Sequence, residues 1–324
     1  ELDRYLTFLR TCSAWWYADH SFGNQDLEKW TSCSEIGHVL ETKDHVTICV
    51  ESKERTWELM IYPVVGGFRM IAGKKGFFDG KPEAFSMEES EHAYIIRSKE
   101  HEMILQKETL EISIDRKAIT NLKNISFIFE KESVSASRIQ FSIHENSAIY
   151  GFGERFDSVN QYGKTVALWQ RDACEGCLAS IGNQAYKNIP LVHTSDGFSF
   201  FANTSYRMRM DVGDAVQDYL SVEALGDVFD FYIWSGTPRE AMTAYGTLTG
   251  LPIFPPEWVF EPWAGGGGGR WRNGPLQDIA LEQMAAMKKF HELDIPHSGF
   301  YAEGAGATFY GEYKKEELYK VVSF

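Results

Sequence analysis

The sequence lacks any run of apolar residues long enough to span a bilayer, which argues against a membrane-spanning helix. It also lacks an excess of basic residues, since 32 Lys and Arg stand against 46 Asp and Glu and give a formal net charge of −14. Neither nucleic acid nor an anionic membrane attracts an acidic surface, so we expect neither as a partner. No signal-peptide pattern is present, although the sequence begins at Glu1 and an earlier leader stays open.

Cysteine is scarce, and its positions form no regular framework: Cys12, Cys33, Cys49, Cys174 and Cys177. An odd number without even spacing predicts reduced thiols, and we place a cytoplasmic location ahead of secretion while leaving the compartment open. Cys174 and Cys177 form a lone C-x-x-C, without the second pair that a tetrahedral zinc site needs. It also lacks the βαβ setting of a redox motif. We therefore expect no metal and no cofactor.

Nucleotide-binding loop patterns are also missing, although Gly265 to Gly269 form a run of five glycines. Residues 258–263, before the glycines, read as a buried strand that the glycines cannot continue. After them, apolar spacing predicts a helix over 278–293 and a strand over 297–302. Two strands joined through a helix pair in parallel, so this stretch predicts the first βαβ unit of an α/β barrel. Apolar residues after Lys314 predict a further helix.

What precedes the glycine run is rich in short apolar or alternating segments, separated by polar or Gly-containing breaks. Strands of this length and number predict an antiparallel β-sandwich. The predicted strands cover residues 46–50, 56–62, 68–71, 93–97, 102–106, 110–114, 125–129, 139–143, 198–202, 206–212, 218–223 and 228–234.

A domain boundary is predicted near residue 250. Thr237 is a capping residue, Pro238 occupies the first helical position and Gly250 follows the pattern's end, so a helix is expected over 238–248. Residues 251–256 contain three prolines and cannot be helical. We predict a sandwich domain over 1–250, a Pro-rich linker over 251–256 and the truncated start of a barrel over 257–324.

Several distinctive motifs follow one another along the chain: Tyr150-Gly-Phe-Gly-Glu-Arg155, Trp169-Gln-Arg-Asp172, Tyr186-Lys-Asn-Ile-Pro190, Gly197-Phe-Ser-Phe-Phe-Ala-Asn203, Gly236-Thr-Pro-Arg-Glu-Ala241, Leu248-Thr-Gly-Leu-Pro252 and Pro255-Pro-Glu-Trp258. They occur in the same order in glycoside hydrolase family 31, which the sequence resembles from Tyr150 to Glu303. That family includes α-glucosidases, α-xylosidases and α-glucosyltransferases. The resemblance implies a galactose-mutarotase-like β-sandwich packed on a (β/α)8 TIM barrel, with an oligosaccharide as substrate.

The resemblance implies no catalytic residue within this sequence. In family 31 the nucleophile and the acid are both aspartates on later barrel strands, which would follow residue 324. One hypothesis is therefore the N-terminal portion of a retaining α-glycosidase or α-transglucosidase. The other is a non-catalytic carbohydrate-binding or scaffolding module. The oligomeric state stays open, a homo-oligomer included.

Substrate-binding residues are implied on the barrel side by the same resemblance. It places Glu303 at the end of the second barrel strand, where most members have an aspartate that binds sugar hydroxyls. A solvated loop acid is the alternative for Glu303. Trp263 and Trp271 flank the glycines and could stack on a pyranose, although Trp263 could equally belong to the barrel core.

A loop of the sandwich supplies the other candidates. The resemblance implies that the Trp169 to Asp172 loop reaches the barrel mouth, where Trp169, Arg171 and Asp172 would shape the sugar pocket. A surface ion pair is the alternative for this loop. Glu154 and Arg155 are predicted to be structural, as an ion pair or a backbone anchor.

Overall fold

The computed structural model describes residues 30–53, 55–170, 185–266 and 276–302. The chain divides into two compact units, Glu1–Leu251 and Pro252–Phe324. Among the described residues, the first unit contains antiparallel strands and one long helix, whereas the second contains a parallel pair of strands and a helix. Within the described ranges, every helix is too short or too polar to cross a membrane.

Side chains in a strand alternate between its two faces, and the first unit repeats this pattern along most of its length. Its strands are β1 (Thr31–Ser32), β2 (Glu35–Glu41), β3 (Val46–Glu51), β4 (Thr56–Val64), β5 (Gly67–Gly73), β6 (Ser86–Glu89), β7 (Ala93–Arg97), β8 (Glu102–Gln106), β9 (Glu111–Ile114), β10 (Lys117–Asn121), β11 (Ile125–Glu130), β12 (Ser133–Ser142), β13 (Ile149–Gly153), β14 (Lys164–Leu168), β15 (Asn188–Thr194), β16 (Phe198–Ala202), β17 (Met208–Val212), β18 (Tyr219–Leu225) and β19 (Val228–Ser235).

These strands form three antiparallel sheets. The largest has eight strands in the order β13-β15-β16-β19-β5-β4-β3-β2. A six-stranded sheet has the order β1-β11-β12-β18-β17-β14, and a five-stranded sheet has the order β10-β9-β8-β7-β6.

One hydrophobic core joins the inner faces of the three sheets. Phe141 of β12 stacks on Phe200 of β16 with ring centroids 4.4 Å apart. Phe127 of β11 meets Phe229 of β19 edge to face at 5.4 Å. Met103 of the five-stranded sheet is fully buried in the same core. Side chains of separate sheets thus bury one another, and the predicted β-rich sandwich is confirmed.

Helix α1 (Pro238–Thr249) covers the outer face of the eight-stranded sheet. Thr237 Oγ1 accepts the Glu240 backbone N–H, and the Glu240 carboxylate accepts the Thr237 backbone N–H, which completes a capping box. Ala241 and Ala244 are buried together with Trp234 of β19. The helix predicted over 238–248 and its cap are therefore confirmed.

The second unit contains β20 (Trp263–Gly266), helix α2 (Leu276–Glu292) and β21 (Gly299–Ala302). β20 and β21 pair in parallel, so the predicted strand-helix-strand order is confirmed, with the last strand two residues shorter at its start. The helix predicted after Lys314 lies outside the described residues.

The sequence prediction for residues 258–263 is wrong. A 3-10 helix covers Glu257–Phe260, and Trp258 and Phe260 are exposed rather than buried. Pro262 has no N–H to give to a strand partner, so pairing starts only at Trp263. The prediction that the glycines end the strand is also wrong, because Gly265 and Gly266 pair with β21. Glycine can adopt an extended backbone conformation, and pairing with β21 holds Gly265 and Gly266 in that conformation.

Candidate functional site

Two of the six predicted substrate-binding residues lie in described parts of the chain. Trp169 directly follows β14 in the first unit, and Trp263 begins β20 in the second. Both are partly exposed. Arg171, Asp172, Trp271 and Glu303 lie outside the described residues, as do Cys174 and Cys177.

The backbone around Trp169 is fixed by its neighbours. Gln170 forms an isolated bridge with Ala185, on the far side of the undescribed residues 171–184. The Gln170 side chain accepts a hydrogen bond from the Asn188 backbone N–H at 2.8 Å and donates one to the Asn188 carbonyl at 3.2 Å. This reciprocal pair ties the end of β14 to the start of β15.

Arg155 completes this tie. Its Nη2 donates to the Asn188 side-chain oxygen at 2.6 Å and to the Ala167 carbonyl at 3.1 Å. Burial lowers the pKa of Arg155 to about 10, which leaves the guanidinium charged at neutral pH. The predicted role of Arg155 as a backbone anchor is confirmed. Glu154 forms an ion pair with Lys187, whose Nζ lies 3.9 Å from the Glu154 carboxylate.

Trp169 lines a groove of about 530 Å³ in the first unit. Three of the ordered sequence motifs contribute to it, although they are far apart in sequence. The lining residues are Phe77, Phe78, Leu168, Trp169, Gln170, Asn188, Ile189, Pro190, Phe201, Thr204, Ser205, Tyr206, Met208 and Tyr245. None of them carries a charge.

The groove combines a packed aromatic floor with exposed aromatic rims. Phe201 contacts Phe78 with ring centroids 6.1 Å apart and meets Tyr245 edge to face at 5.2 Å. By contrast, Phe77 is 71% exposed, Trp169 45% and Tyr206 42%. Pockets for small molecules have this size range and this mixture of apolar walls with few polar groups.

A buried polar network lies next to the groove. Arg69 of β5 and Asp230 of β19 form a two-pronged salt bridge at 2.8 and 2.7 Å, and both side chains are buried. Burial alone would lower the pKa of Arg69, but the hydrogen bonds from its guanidinium to Asp230 reverse this and raise it. The Asp79 carboxylate also accepts from Arg69, at 2.5 Å, and this bond lowers the pKa of Asp79.

Sequence reasoning missed these charged residues. A signal was present, because Arg69 and Asp230 each interrupt an apolar strand, and the strands are hydrogen-bonded neighbours. A charge at a buried strand position requires a partner, so two opposite charges in such strands point to each other.

Trp263 has a local environment of its own in the second unit. Its indole N–H donates to the Val259 carbonyl at 3.1 Å, and its ring lies 5.6 Å from that of Trp258. The hydrogen-bonding group of the indole is thus satisfied while part of its ring surface stays open. Within the described ranges no group of three His, Cys, Asp or Glu is arranged to hold a metal ion.

Curated relatives are named as α-glycosidases. The chain is 34% identical to an α-xylosidase (XylQ) of Lactiplantibacillus pentosus over 166 residues, which is 51% of this chain and 21% of that protein. It is 24% identical to α-glucosidase 2 of Bacillus thermoamyloliquefaciens over 226 residues, 67% of this chain and 27% of that protein. The chain thus spans only about a quarter or less of these relatives.

Solved structures share the fold. A cycloalternan-forming enzyme of Listeria monocytogenes in complex with a pentasaccharide substrate matches with a TM-score of 0.69 and 19% identity, over 84% of this chain and 27% of that one. A family 31 dextranase of Flavobacterium johnsoniae complexed with glucose matches with a TM-score of 0.63 and 19% identity, over 84% and 34%. At these identities the likeness concerns the fold alone.

A family model identifies the first unit more closely. The model of the glycosyl hydrolase 31 N-terminal galactose mutarotase-like domain matches residues 46–211, just over half of the chain. This range contains most of the sandwich strands and the Trp169 side of the groove. The chain therefore belongs to glycoside hydrolase family 31, whose N-terminal galactose-mutarotase-like domain it contains.

Proposed function

We propose that the full-length protein is a retaining α-glycosidase or α-transglucosidase acting on α-linked oligosaccharides, and that this chain is its N-terminal portion. Family membership and the named activities of the α-xylosidase and α-glucosidase relatives support the proposal. The nucleophile and the acid are then aspartates beyond residue 324, and the 324-residue chain is inactive by itself.

Residues 1–250 serve as the sandwich domain in this proposal, 251–256 as the linker and 257–324 as the start of the (β/α)8 barrel. The parallel pairing of β20 and β21 around α2 supports the barrel assignment, since each repeat of such a barrel has this form. Glu303 follows β21 directly in the sequence, and active sites of these barrels lie at the carboxyl ends of the strands.

The observation that carries the proposal is the convergence of separate family motifs on the groove beside Trp169. The role we propose for Trp169, Arg171 and Asp172 in the first unit is to shape a sugar pocket. The role we propose for Glu303, Trp263 and Trp271 in the second unit is to bind sugar. Whether the enzyme hydrolyses its substrate or transfers the glycosyl group to another sugar then depends on the residues that contact the acceptor, which is water in the first case and a sugar in the second.

A non-catalytic carbohydrate-binding module is the second candidate. The groove favours this candidate, because its aromatic rims and the uncharged side chains among its described lining residues can bind a sugar without any catalytic carboxylate. The two candidates differ in the downstream sequence, since only the enzyme needs an aspartate at the ends of two later strands.

Substitution of Glu303 in the full-length enzyme tests the proposal. Glu303→Gln keeps the shape but loses charge-assisted hydrogen bonds, each contributing about 1.5–3 kcal/mol. Because such bonds strengthen in the transition state, kcat/KM should fall at least ~tenfold without loss of folding. Glu303→Asp should change the preference between sugars more than it changes stability.

If both variants keep the wild-type kcat/KM and sugar preference while folded, Glu303 is a solvated loop acid. The matched control is Glu257→Gln, an exposed acid of the 3-10 helix that should leave kcat/KM unchanged.

A further inference from the structure

We propose that the groove is a binding site for an uncharged saccharide, which stacks on Phe77 and Tyr206, and that the loop from Lys74 to Gly80 is its fixed wall. The inference rests on the proposed function for the chemical class of the ligand. It adds two residues that the sequence motifs do not include and a positioning network to which the motifs contribute only Asn203.

The described part of the groove lining points to a neutral ligand. About a quarter of all residues in this acidic chain are charged, yet none of the described residues that line the groove is. Against these residues a charged ligand would lose its hydration without gaining an opposite charge. A saccharide suits the lining, because its apolar ring face can meet aromatic rims and its hydroxyls can meet Thr204 and Ser205.

Phe77 is exposed, yet the loop that carries it is firmly held. Asp230 accepts hydrogen bonds from the Gly76 backbone N–H at 2.7 Å and from the Asn203 side chain at 2.9 Å. Asn203 also accepts from the Phe78 backbone N–H at 3.0 Å and donates to the Phe78 carbonyl at 2.8 Å. Both residues next to Phe77 are thereby tied to buried side chains of the eight-stranded sheet.

Two further contacts fix this loop. Tyr232 accepts from the Gly80 backbone N–H at 2.9 Å and donates to the Phe78 carbonyl at 3.1 Å. Gly76 lies so close to the Asn203 carbonyl that a Cβ there would be 1.6 Å from its oxygen, so only glycine fits. Because the loop backbone is already held in place, the loop loses little further conformational freedom when a ligand stacks on the Phe77 ring.

Tyr206 is fixed in a similar way on another rim. Its hydroxyl donates to the Asp227 carboxylate at 3.1 Å, and Lys74 pairs with the same carboxylate. The ring lies against Gly226, where an added Cβ would come within 2.6 Å of a ring carbon. The Tyr206 ring is thus held by contacts of its own, whereas for Phe77 it is the backbone on both sides of the residue that is held.

The test uses the full-length protein and three probes that it cannot hydrolyse: thio-linked maltopentaose, thio-linked isomaltopentaose and a thio-linked xylosyl-glucose oligosaccharide. Calorimetric titration should show binding of at least one of them. Phe77→Ala and Tyr206→Ala should each raise its Kd at least tenfold. Tyr206→Phe keeps the ring and should stay within about threefold of the wild type.

Leu40→Ala is the matched control, because it truncates an exposed side chain on β2, at the opposite edge of the eight-stranded sheet from β13. Its Kd should equal that of the wild type. Turnover of aryl α-glycosides is measured in parallel, so that the two proposals can fail separately. If turnover is present but Phe77→Ala leaves the Kd unchanged, this inference is overturned. If the Kd depends on Phe77 but turnover is absent, the proposed enzyme activity is removed.

Two results would overturn the saccharide assignment. One is that the wild type binds none of the three probes. The other is that Phe77→Ala and Tyr206→Ala lower Tm or cause association while Kd stays the same, which would mean that polypeptide covers the groove in the full-length protein. Phe77→Tyr keeps an aromatic ring. Its Kd for the probes should therefore equal that of the wild type, whether the groove binds a saccharide or is covered by polypeptide.

Discussion

At the residue scale, the salt bridge between Arg69 and Asp230 carries the largest expected effect on stability. Breaking a buried pair leaves one charge without compensation, so Asp230→Ala should lower the free energy of unfolding by about 3–5 kcal/mol. The measurement is the urea midpoint and slope of the 324-residue chain. Glu88→Gln is the control, because it removes an exposed partner of Arg97 and should leave the midpoint in place. Equal midpoints for Asp230→Ala and the wild type would contradict the network described here.

A second residue-scale prediction concerns acid stability. Burial alone would raise the pKa of Asp157, but hydrogen bonds from Lys164 at 2.6 Å and Gln161 at 3.0 Å lower it from 3.8 to about 2. The unfolded chain therefore binds a proton that the folded chain does not between these pH values. The stability from Asp157 is complete above pH 3.8 and is lost as pH falls toward 2.

Asp157→Asn isolates this contribution. The difference in unfolding free energy between the wild type and the variant should be about 1–2 kcal/mol at pH 5, because the side chain is partly exposed, and should shrink toward pH 2. Chemical denaturation at several pH values measures it. A difference that does not change with pH would show that Asp157 keeps an ordinary pKa.

At the element scale, the cap of α1 gives a test with an internal control. Thr237→Ala removes the side-chain acceptor for the Glu240 backbone N–H and should cost about 1 kcal/mol of stability. Thr243→Ala lies on the exposed surface of the same helix and should cost nothing, because Ala favours the helix interior. Thermal unfolding of the two variants side by side decides the matter, and similar losses for both would argue against the cap.

The elements also explain which strands can be predicted from sequence. Interior strands such as β7, β8 and β16 match their predicted bounds. In β7 and β8 fully buried positions are interspersed with partly buried ones, whereas β16 is a short, largely apolar run that is buried at every position. The strands missing from the prediction are the six that form the sheet edges, β1, β2, β6, β10, β13 and β14, together with β15. An edge strand is exposed more widely, so its pattern is weaker. β15 contains Pro190, which argues against a strand when only the sequence is considered.

The groove could be predicted only in part for a related reason. Trp169 was implicated by its motif, but Phe77 and Tyr206 lie on loops whose meeting depends on the order of strands in the eight-stranded sheet. Neither strand order nor loop packing is encoded in a local pattern. The second unit shows the same limit, because Pro262 shifted the strand start by forbidding one hydrogen bond.

At the scale of the whole molecule, the described residues contain one extended sandwich core and one parallel strand pair. Phe254 is 99% exposed, and Val259 and Met287 are also exposed in the second unit. A parallel pair normally lies within a larger sheet with both faces covered, and an apolar surface of this kind needs further polypeptide. These features agree with a chain that spans about a quarter or less of its relatives' length.

We propose that this chain supplies substrate-binding structure and that catalysis requires residues beyond it. The most direct measurement compares hydrolysis of aryl α-glucosides and aryl α-xylosides by the purified 324-residue chain and by the full-length protein, each with a glycosidase inhibitor control. We expect inhibitor-sensitive turnover by the full-length protein and none above background by the 324-residue chain, since our proposal places both aspartates beyond residue 324. Inhibitor-sensitive turnover by the 324-residue chain would contradict the account, and so would an inactive full-length protein.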